Sequence, residues 1–194
     1  MNPAMAKRSH SGNPYCGDEF SCWMHGGKII LCIVDGLGHG EDAEKAAKAA
    51  VRYVGNHLSE SLDKIFTGCD YAIRRTRGVA MGIAVVDEKR ATLTFGGIGN
   101  TVAKIFGGET KILTCDAGIV GGGFKTLMPQ PVDISPGELL VMHTDGITDQ
   151  LDISGYSATL QKDLSKLAAA VIDDWGREND DSAVLIYRYG GLQC

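Results

Sequence analysis

A strand that runs through a glycine-rich turn into a helix, at residues 28–50, constrains the fold of this chain more than any other stretch. Residues 29–34 are apolar and rich in β-branched side chains, which is typical of a strand buried on both faces. From residue 41 to residue 58 apolar side chains recur at helical spacing and form one packed stripe. The turn between them begins with Asp35 and contains Gly36, Gly38 and Gly40. It predicts a carboxylate fixed at a strand end, beside a backbone that a ligand can approach closely.

Two kinds of ligand suit such a turn. A glycine-rich turn before a helix can bind a nucleotide phosphate through backbone N–H groups. However, the spacing here is G-x-G-x-G rather than G-x-G-x-x-G, and no Gly-Lys-Ser/Thr follows. Asp35 would also repel a pyrophosphate, whereas its carboxylate suits a hard cation that takes oxygen ligands. The turn therefore favours a metal site, and the decision depends on whether other carboxylates occur in the same setting.

The size and composition of the chain exclude several classes of protein. A chain of 194 residues fits a single domain, residues 1–194, that buries roughly 70% of its unfolded surface. The net charge of −5 argues against a nucleic-acid partner, and no apolar run approaches the ~20 residues of a membrane span. The six cysteines contain no C-x-x-C pair, which favours reduced thiols in a cytoplasmic protein. A membrane partner is likewise not expected.

The predicted elements run in the order strands, helices, strands, helix, strand. Strand patterns occur at residues 3–9, 19–25, 28–34, 79–86, 91–98, 101–106, 109–114, 138–143 and 182–189, and helical patterns at 41–58, 59–75 and 161–173. Residues 115–133 show no period, and their three consecutive glycines indicate a mobile loop. Because adjacent strands are grouped apart from the helices, the pattern favours antiparallel sheets packed by helices over a doubly wound parallel sheet.

Acidic residues recur at the ends of the predicted strands. Asp18 precedes a strand, Asp35 and Asp145 each end one in an Asp-Gly step, and Asp180 and Asp181 precede the last. A lone Asp-Gly step commonly forms only a turn, but this repetition predicts that the carboxylates meet at one edge of a sheet. Converged carboxylates repel one another unless cations lie between them. A pair of Mg²⁺ or Mn²⁺ ions about 3.5–4 Å apart would remove that repulsion and suits phosphoryl chemistry.

Six motifs occur in a fixed order along the chain: Gly17-Asp18, VDGLGHG at 34–40, RGVAMGIAVVD at 77–87, GGIGN at 96–100, HTDGI at 143–147 and NDDSAVLI at 179–186. In this order they resemble the metal-dependent PPM (type 2C) protein serine/threonine phosphatases, in particular the SpoIIE/RsbX branch of bacterial regulatory phosphatases. The resemblance covers residues 18–187. It implies a mixed α/β (α+β) fold, a four-layer αββα sandwich of two antiparallel sheets flanked by helices, with a metal site at one sheet edge.

The resemblance also implies which residues bind two divalent cations, Mn²⁺ or Mg²⁺. Asp35 would bridge both cations, while Asp18 and the carbonyl of Gly36 would bind one of them. Asp145 and Asp180 would bind the other. Asp35 and Asp18 are accordingly the predicted catalytic residues. A shift by one position stays open at the last ligand, since the following residue is also an aspartate.

Substrate contacts are predicted from the surroundings of these aspartates. Many members of the family place an arginine four residues before the aspartate that matches Asp18, but this chain has Pro14 there. The candidate contacts are a histidine in the glycine-rich turn and the arginines that follow the second predicted helix: His39, Arg74, Arg75 and Arg77.

The predicted function is hydrolysis of phosphoserine or phosphothreonine by water that two metals activate, in a monomeric protein. By resemblance, the partners are phosphorylated STAS-domain regulators of the bacterial stressosome. One alternative is a catalytically silent member of the fold that binds phosphoproteins, although the intact set of four aspartates argues against it. Another alternative is a nucleotide-binding α/β domain. Stabilisation of the protein by ATP in the absence of a divalent cation would support it.

Overall fold

The structure of the chain is a computed structural model that describes residues 3–10 and 12–190. In those residues the elements follow one another as β1 (Ala4–Arg8), β2 (Asp18–His25), β3 (Lys28–Gly36), α1 (Glu41–Asn56), α2 (Leu62–Ile73), β4 (Val79–Asp87), β5 (Thr92–Ile98), β6 (Val102–Phe106), β7 (Lys111–Leu113), β8 (Gly118–Ile119), β9 (Gly123–Phe124), β10 (Gln130–Asp133), β11 (Leu139–His143), α3 (Ala158–Lys162), α4 (Leu164–Trp175) and β12 (Ser182–Arg188).

Antiparallel pairing joins the longer strands into two sheets. The first sheet has the order β1-β12-β11-β6-β7, and the second has the order β10-β5-β4-β3-β2. The short strands β8 and β9 pair only with each other among the described strands. Strands that are distant in sequence thus become neighbours, because β11 and β12 pair directly although α3 and α4 lie between them in the chain.

Three apolar layers hold the sheets and helices together. Side chains such as Leu31 and Leu185 fill the space between the two sheets. Phe66 belongs to the layer between the second sheet and the helices α1 and α2. Leu167 belongs to the layer between the first sheet and α4. The order helices, sheet, sheet, helices is the αββα sandwich that the family resemblance implies.

The strand β3 lies between β4 and β2 in the second sheet, and residues 29–34 are buried on both of its faces, as predicted. One face packs on α1, whose buried stripe consists largely of alanines and therefore lets the helix approach closely. The approach is closest at Gly36, where an added Cβ would lie 2.3 Å from the carbonyl oxygen of Ala43. Glycine at this position allows the first turn of α1 to rest against the end of β3.

The predicted helix at residues 161–173 is wrong in its extent, because two helices occupy the region. The chain leaves helical geometry at Asp163 (φ −97°, ψ 90°), and the Asp163 carboxylate accepts a hydrogen bond from the N–H of Lys166. Aspartate is a favoured residue at a helix N-cap, so it ends α3 and begins α4. The first two helices are also shorter than predicted, since α1 ends at Asn56 and α2 runs from Leu62 to Ile73.

Residues 115–133 contain three short strands, contrary to the prediction of an irregular segment. The strand β10 pairs with β5 at the edge of the second sheet, and Val120 forms a bridge with Val79. The glycines of this segment are anchored to α2, since the Asp70 carboxylate accepts hydrogen bonds from the N–H groups of Gly121 (2.7 Å) and Gly123 (3.1 Å). Strands of two to four residues are too short to show a period of two in the sequence.

Five cysteines lie in the described part of the chain, and all five are free thiols. The sixth, Cys194, lies outside the described residues. Helices long and apolar enough to cross a membrane are absent from residues 3–10 and 12–190.

Candidate active site

The two sheets bring four of the predicted aspartates to one edge of the sandwich. Asp18 begins β2 and Asp35 lies near the end of β3, where the two residues are register partners. Asp145 follows β11 and Asp180 precedes β12, which are neighbouring strands of the first sheet. Each sheet therefore contributes two carboxylates to the same region.

A cleft of about 260 Å³ opens at this edge. Three of the aspartates line it, as do residues of the glycine-rich turn and two asparagines. The described residues of the lining are His10, Asp35, Leu37, Gly38, His39, Asn100, Asp145, Asn179 and Asp180. Asp18 does not line the cleft and lies deeper, with 2% of its surface exposed. The predicted backbone ligand Gly36 is buried between two residues of the lining, Asp35 and Leu37.

The side chain of Asp18 is fixed by a hydrogen bond from Thr144, a residue that is not among the predicted site residues. The hydroxyl of Thr144 donates a hydrogen bond of 2.6 Å to Oδ2 of Asp18. Burial raises the pKa of Asp18 from 3.8 to about 7, the Thr144 hydrogen bond opposes the increase, and the nearby aspartates add to it. Thr144 thus stabilises the charged form of Asp18, which burial and the neighbouring aspartates disfavour.

Asp35 has a strongly raised pKa, chiefly because it is buried. Burial raises its pKa far above the ordinary value, and the charges of Asp18, Asp145 and Asp180 raise it further. The proximity of the Asp145 carboxylate adds to the increase in the pKa of Asp35. The pKa of Asp180 is also raised, first by burial and then by the charge of Asp145.

The donor set fits a hard divalent cation. In the described part of the chain, no lysine or arginine forms a salt bridge with these four aspartates. Asp145 receives a neutral donor instead, since Nδ2 of Asn100 lies 2.7 Å from its Oδ2. Across residues 3–10 and 12–190, however, no three acidic, histidine or cysteine side chains already stand in metal-ligand geometry. The donor chemistry therefore fits, and the individual ligand assignments stay predictions.

The two consecutive aspartates before β12 occupy different environments. Asp180 lines the cleft, whereas Asp181 is buried with 4% of its surface exposed. The Asp181 carboxylate accepts hydrogen bonds from two backbone N–H groups, of His10 at 2.6 Å and of Gly17 at 2.7 Å. Asp181 thereby ties the segment before β2 to the segment before β12, and Asp180 is the member of the pair that faces the cleft.

The predicted substrate contacts separate in the structure. His39 is exposed in the lining of the cleft, with its ring centroid 5.9 Å from that of His10. Arg77 lies beside the glycine-rich turn, and Arg75 lines a neighbouring pocket together with Arg77. Arg74 is stacked on the ring of Tyr71, with its guanidinium carbon 4.0 Å from the ring centroid, and does not line the cleft.

Two residues of the site carry only weak signals in the sequence. Thr144 directly precedes the Asp145-Gly146 step, and Asn100 closes the Gly96–Asn100 motif. Their proximity to the aspartates follows from strand pairing that brings residues 45 and 126 positions apart into contact. A polar residue next to a predicted ligand is the signal that would have identified Thr144.

Comparison with known proteins agrees with this geometry. The sequence profile of the family described as Stage II sporulation protein E (SpoIIE) matches residues 25–190. The chain belongs to the SpoIIE family. The SpoIIE match includes Asp35, Asp145 and Asp180, while Asp18 lies outside the matched segment.

Individual relatives within the SpoIIE family resemble the chain over most of its length. Phosphoserine phosphatase RsbX of Bacillus subtilis (strain 168) is 25% identical over 138 residues, which are 70% of this chain and 69% of the relative. A solved structure of RsbX in complex with magnesium is 20% identical, with a TM-score of 0.78, and covers 95% of this chain and 92% of that chain.

Another solved chain is 26% identical to this one, with a TM-score of 0.87. It comes from work on the bacterial stressosome, which that work describes as a modular system that has been adapted to control secondary messenger signalling. The match covers 96% of this chain and 98% of that chain. These comparisons confirm the predicted SpoIIE/RsbX resemblance, the fold and the enzyme class, which is that of the metal-dependent PPM phosphatases.

Proposed function

We propose that this chain is a protein phosphatase that hydrolyses phosphoserine or phosphothreonine, acting as a single domain. One observation carries the proposal: Asp35, Asp145 and Asp180 converge on a cleft with Asp18 behind them, and no lysine or arginine among the described residues forms a salt bridge with any of them. Such a cluster is stable only when protons or cations offset its charge, and divalent cations are the partners that phosphoryl chemistry uses.

We assign two divalent cations, Mg²⁺ or Mn²⁺, to the cluster. Asp35 would lie between them, with Asp18 and the Gly36 carbonyl on one side and Asp145 and Asp180 on the other. When bound, such cations lower the pKa of water and neutralise charge on the transferring phosphoryl group. The solved complex of RsbX with magnesium supports the choice of a hard divalent cation.

The residues around the aspartates position the carboxylate oxygens. Thr144 donates to Asp18, and Asn100 donates to Asp145, so one oxygen of each carboxylate is fixed and the other stays available. Asp181 fixes the backbone on either side of the cluster through its two N–H contacts. Fixed ligands keep a metal site in one geometry and tune its affinity, as outer hydrogen bonds do in metalloproteins generally.

The name of RsbX and the stressosome context of a second similar chain support the substrate assignment. We propose phosphorylated STAS-domain proteins of the stressosome kind as the partners. A cleft of about 260 Å³ accepts a short phosphoserine side chain, so the rest of the recognition surface belongs to the partner's folded domain. We also propose that the protein acts as a monomer in the cytoplasm, in line with the free thiols of its described cysteines.

The test is phosphate release from a phosphorylated STAS domain with Mg²⁺, with Mn²⁺ and with a chelator. We expect release that requires the divalent cation. Binding of the phosphorylated domain without release would instead indicate the catalytically silent module. Stabilisation by ATP in the presence of a chelator, without phosphate release in any condition, would favour the nucleotide-binding alternative.

A further inference from the structure

The lining of the cleft is unsuited to an anionic substrate on its own. It contains three aspartates, and none of the described residues that line it is a lysine or an arginine. A phosphomonoester carries a charge of about −1.5 to −2 at neutral pH. Cations on the carboxylates would attract it from one side, but the described lining supplies no lysine or arginine on the other. An arginine close to the lining would therefore contribute directly to substrate binding.

The backbone at Arg77 is fixed relative to the cleft. The next residue, Gly78, accepts a hydrogen bond of 3.0 Å from the N–H of Leu37, which lines the cleft. The strand β4 begins one residue later, and its Ala80 is the register partner of Asp35. The backbone at Arg77 is therefore held by the same strand pairing that positions Asp35.

The guanidinium of Arg77 lies directly against the glycine-rich turn. Its Nη1 lies 2.7 Å from the position of a Cβ added to Gly38, and 3.5 Å from the carbonyl oxygen of His39. Gly38 has a φ of +82°, so both its backbone conformation and the adjacent guanidinium favour glycine there. Both turn residues line the cleft, whereas Arg77 lines the adjoining pocket with Asp42, so its guanidinium borders the cleft across the glycine-rich turn.

The Arg77 side chain has hydrogen-bonding capacity left for a ligand. Its Nη2 is 3.6 Å from Oδ2 of Asp42, and its contact with His39 is 3.5 Å, so both contacts are longer than strong charge-assisted hydrogen bonds. A guanidinium has five N–H donors in a planar fork that matches two phosphate oxygens. The side chain is 48% exposed, which leaves that fork accessible.

We propose that Arg77 binds the phosphoryl oxygens of the substrate at the rim of the cleft and is a determinant of phosphate affinity. The inference rests on the proposed phosphatase function. It separates Arg77 from Arg74, which is engaged with Tyr71. A second arginine near the cluster, Arg177, serves for comparison: burial and the charge of Asp145 raise the pKa of Asp180, and the charge of Arg177 partly opposes that increase.

The experiment compares Arg77→Gln and Arg77→Lys in the Mg²⁺-loaded protein. The matched control is Arg52→Gln, which removes the same charge from an exposed position of α1. Inorganic phosphate is the probe, used as an inhibitor of phosphoserine hydrolysis and as a ligand in calorimetry. We expect Arg77→Gln to weaken phosphate binding and to raise KM by about tenfold or more, Arg77→Lys to fall between, and the control to stay within about twofold.

Each outcome decides the inference separately from the proposed function. If the wild type hydrolyses phosphoserine and Arg77→Gln behaves as the control does, the role of Arg77 is wrong and the proposed function stands. If the wild type does not hydrolyse, the proposed function is wrong and calorimetry with phosphate still tests Arg77. If Arg177→Gln weakens phosphate binding and Arg77→Gln does not, the inference is overturned. If Arg77→Gln does not fold, unchanged phosphate affinity in Arg77→Lys overturns it.

Discussion

The carboxylate of Asp181 accepts a hydrogen bond of 2.7 Å from the backbone N–H of Gly17, a residue 164 positions away in the sequence. Gly17 directly precedes Asp18, and Asp181 directly follows Asp180. The bond therefore fixes the distance between one predicted ligand on the second sheet and one on the first. Two aspartates that are adjacent in the chain consequently have different tasks.

Replacement of Asp181 by alanine is expected to destabilise the fold. It leaves the buried N–H of Gly17 and the part-buried N–H of His10 without this acceptor, which costs about 1.5–3 kcal/mol for bonds to a charged group. Asp180→Ala should leave the stability of the metal-free protein nearly unchanged and weaken the binding of Mn²⁺. Urea denaturation with a chelator and calorimetric titration with Mn²⁺ measure the two effects. Equal loss of Mn²⁺ affinity with unchanged stability in Asp181→Ala would assign the ligand to Asp181 instead.

Asp35→Asn is expected to abolish nearly all hydrolysis and to leave the fold intact. A ligand that lies between two cations affects both, so turnover should fall by far more than tenfold. The metal-free variant should be as stable as the wild type or more stable, because it removes a carboxylate that its neighbours repel. Turnover and thermal unfolding with a chelator check the two statements. Retention of more than about a tenth of the wild-type turnover, a barrier change below ~1.4 kcal/mol, contradicts the bridging position.

The metal-free protein is expected to lose stability as the pH rises from about 4 to about 7. The pKa of Asp18 is raised from 3.8 to about 7 in the folded chain, so the folded state retains a proton that the unfolded state releases. The stabilisation is complete below the unfolded pKa and is lost as the pH rises through the folded one, a difference on the order of 4 kcal/mol. Urea unfolding across this range with a chelator measures it.

Two comparisons make the pH experiment specific. Asp18→Asn should flatten the dependence over that window, since the titrating group is removed. Saturating Mg²⁺ should oppose the loss of stability at higher pH, because cations bind the deprotonated carboxylates. A metal-free stability that increases between pH 5 and pH 7 would contradict the position of Asp18 in a buried acidic cluster.

Thr144→Val is expected to weaken cation binding without removing any predicted ligand. The substitution keeps the shape of the side chain and deletes the hydroxyl that donates to Asp18, so the pKa of Asp18 rises further. We expect a tenfold to hundredfold loss of Mn²⁺ affinity at neutral pH, the usual effect of removing an outer hydrogen bond. The loss should diminish at higher pH, where Asp18 is ionised in both proteins. An affinity equal to that of the wild type at pH 7 would show that Asp18 is not a ligand.

A phosphorylated folded partner is expected to be a much better substrate than its isolated phosphopeptide. The cleft is small, so most of the discrimination has to come from contacts with the partner's surface. The kcat/KM for the folded domain should exceed that for the peptide by at least about a hundredfold, which is ~2.7 kcal/mol of transition-state binding. Equal values for the two substrates would show that docking does not set the specificity.

The sequence was sufficient for the long elements and for the aspartates at their ends. The strand β3 and the helix α1 have strong periodic patterns, and the Asp-Gly steps mark where the strands β3 and β11 stop. The break at Asp163 was not predictable from period alone, because the apolar spacing continues across it while the local capping bond decides the boundary. The difference between Asp180 and Asp181 depends on a contact with Gly17, and no local pattern encodes a contact at that separation.

The division of the four aspartates between the sheets makes the site sensitive to residues far from it. Asp18 and Asp35 move with the second sheet, and Asp145 and Asp180 move with the first. The spacing between the pairs is set by the apolar layer that contains Leu31 and Leu185. Because protein interiors are close-packed, a gain or loss of one methylene in that layer shifts the sheets relative to each other. We therefore expect cation affinity in this protein to depend on the distance between the two sheets. Substitutions that change the volume of the core could then alter that affinity while every predicted ligand stays the same.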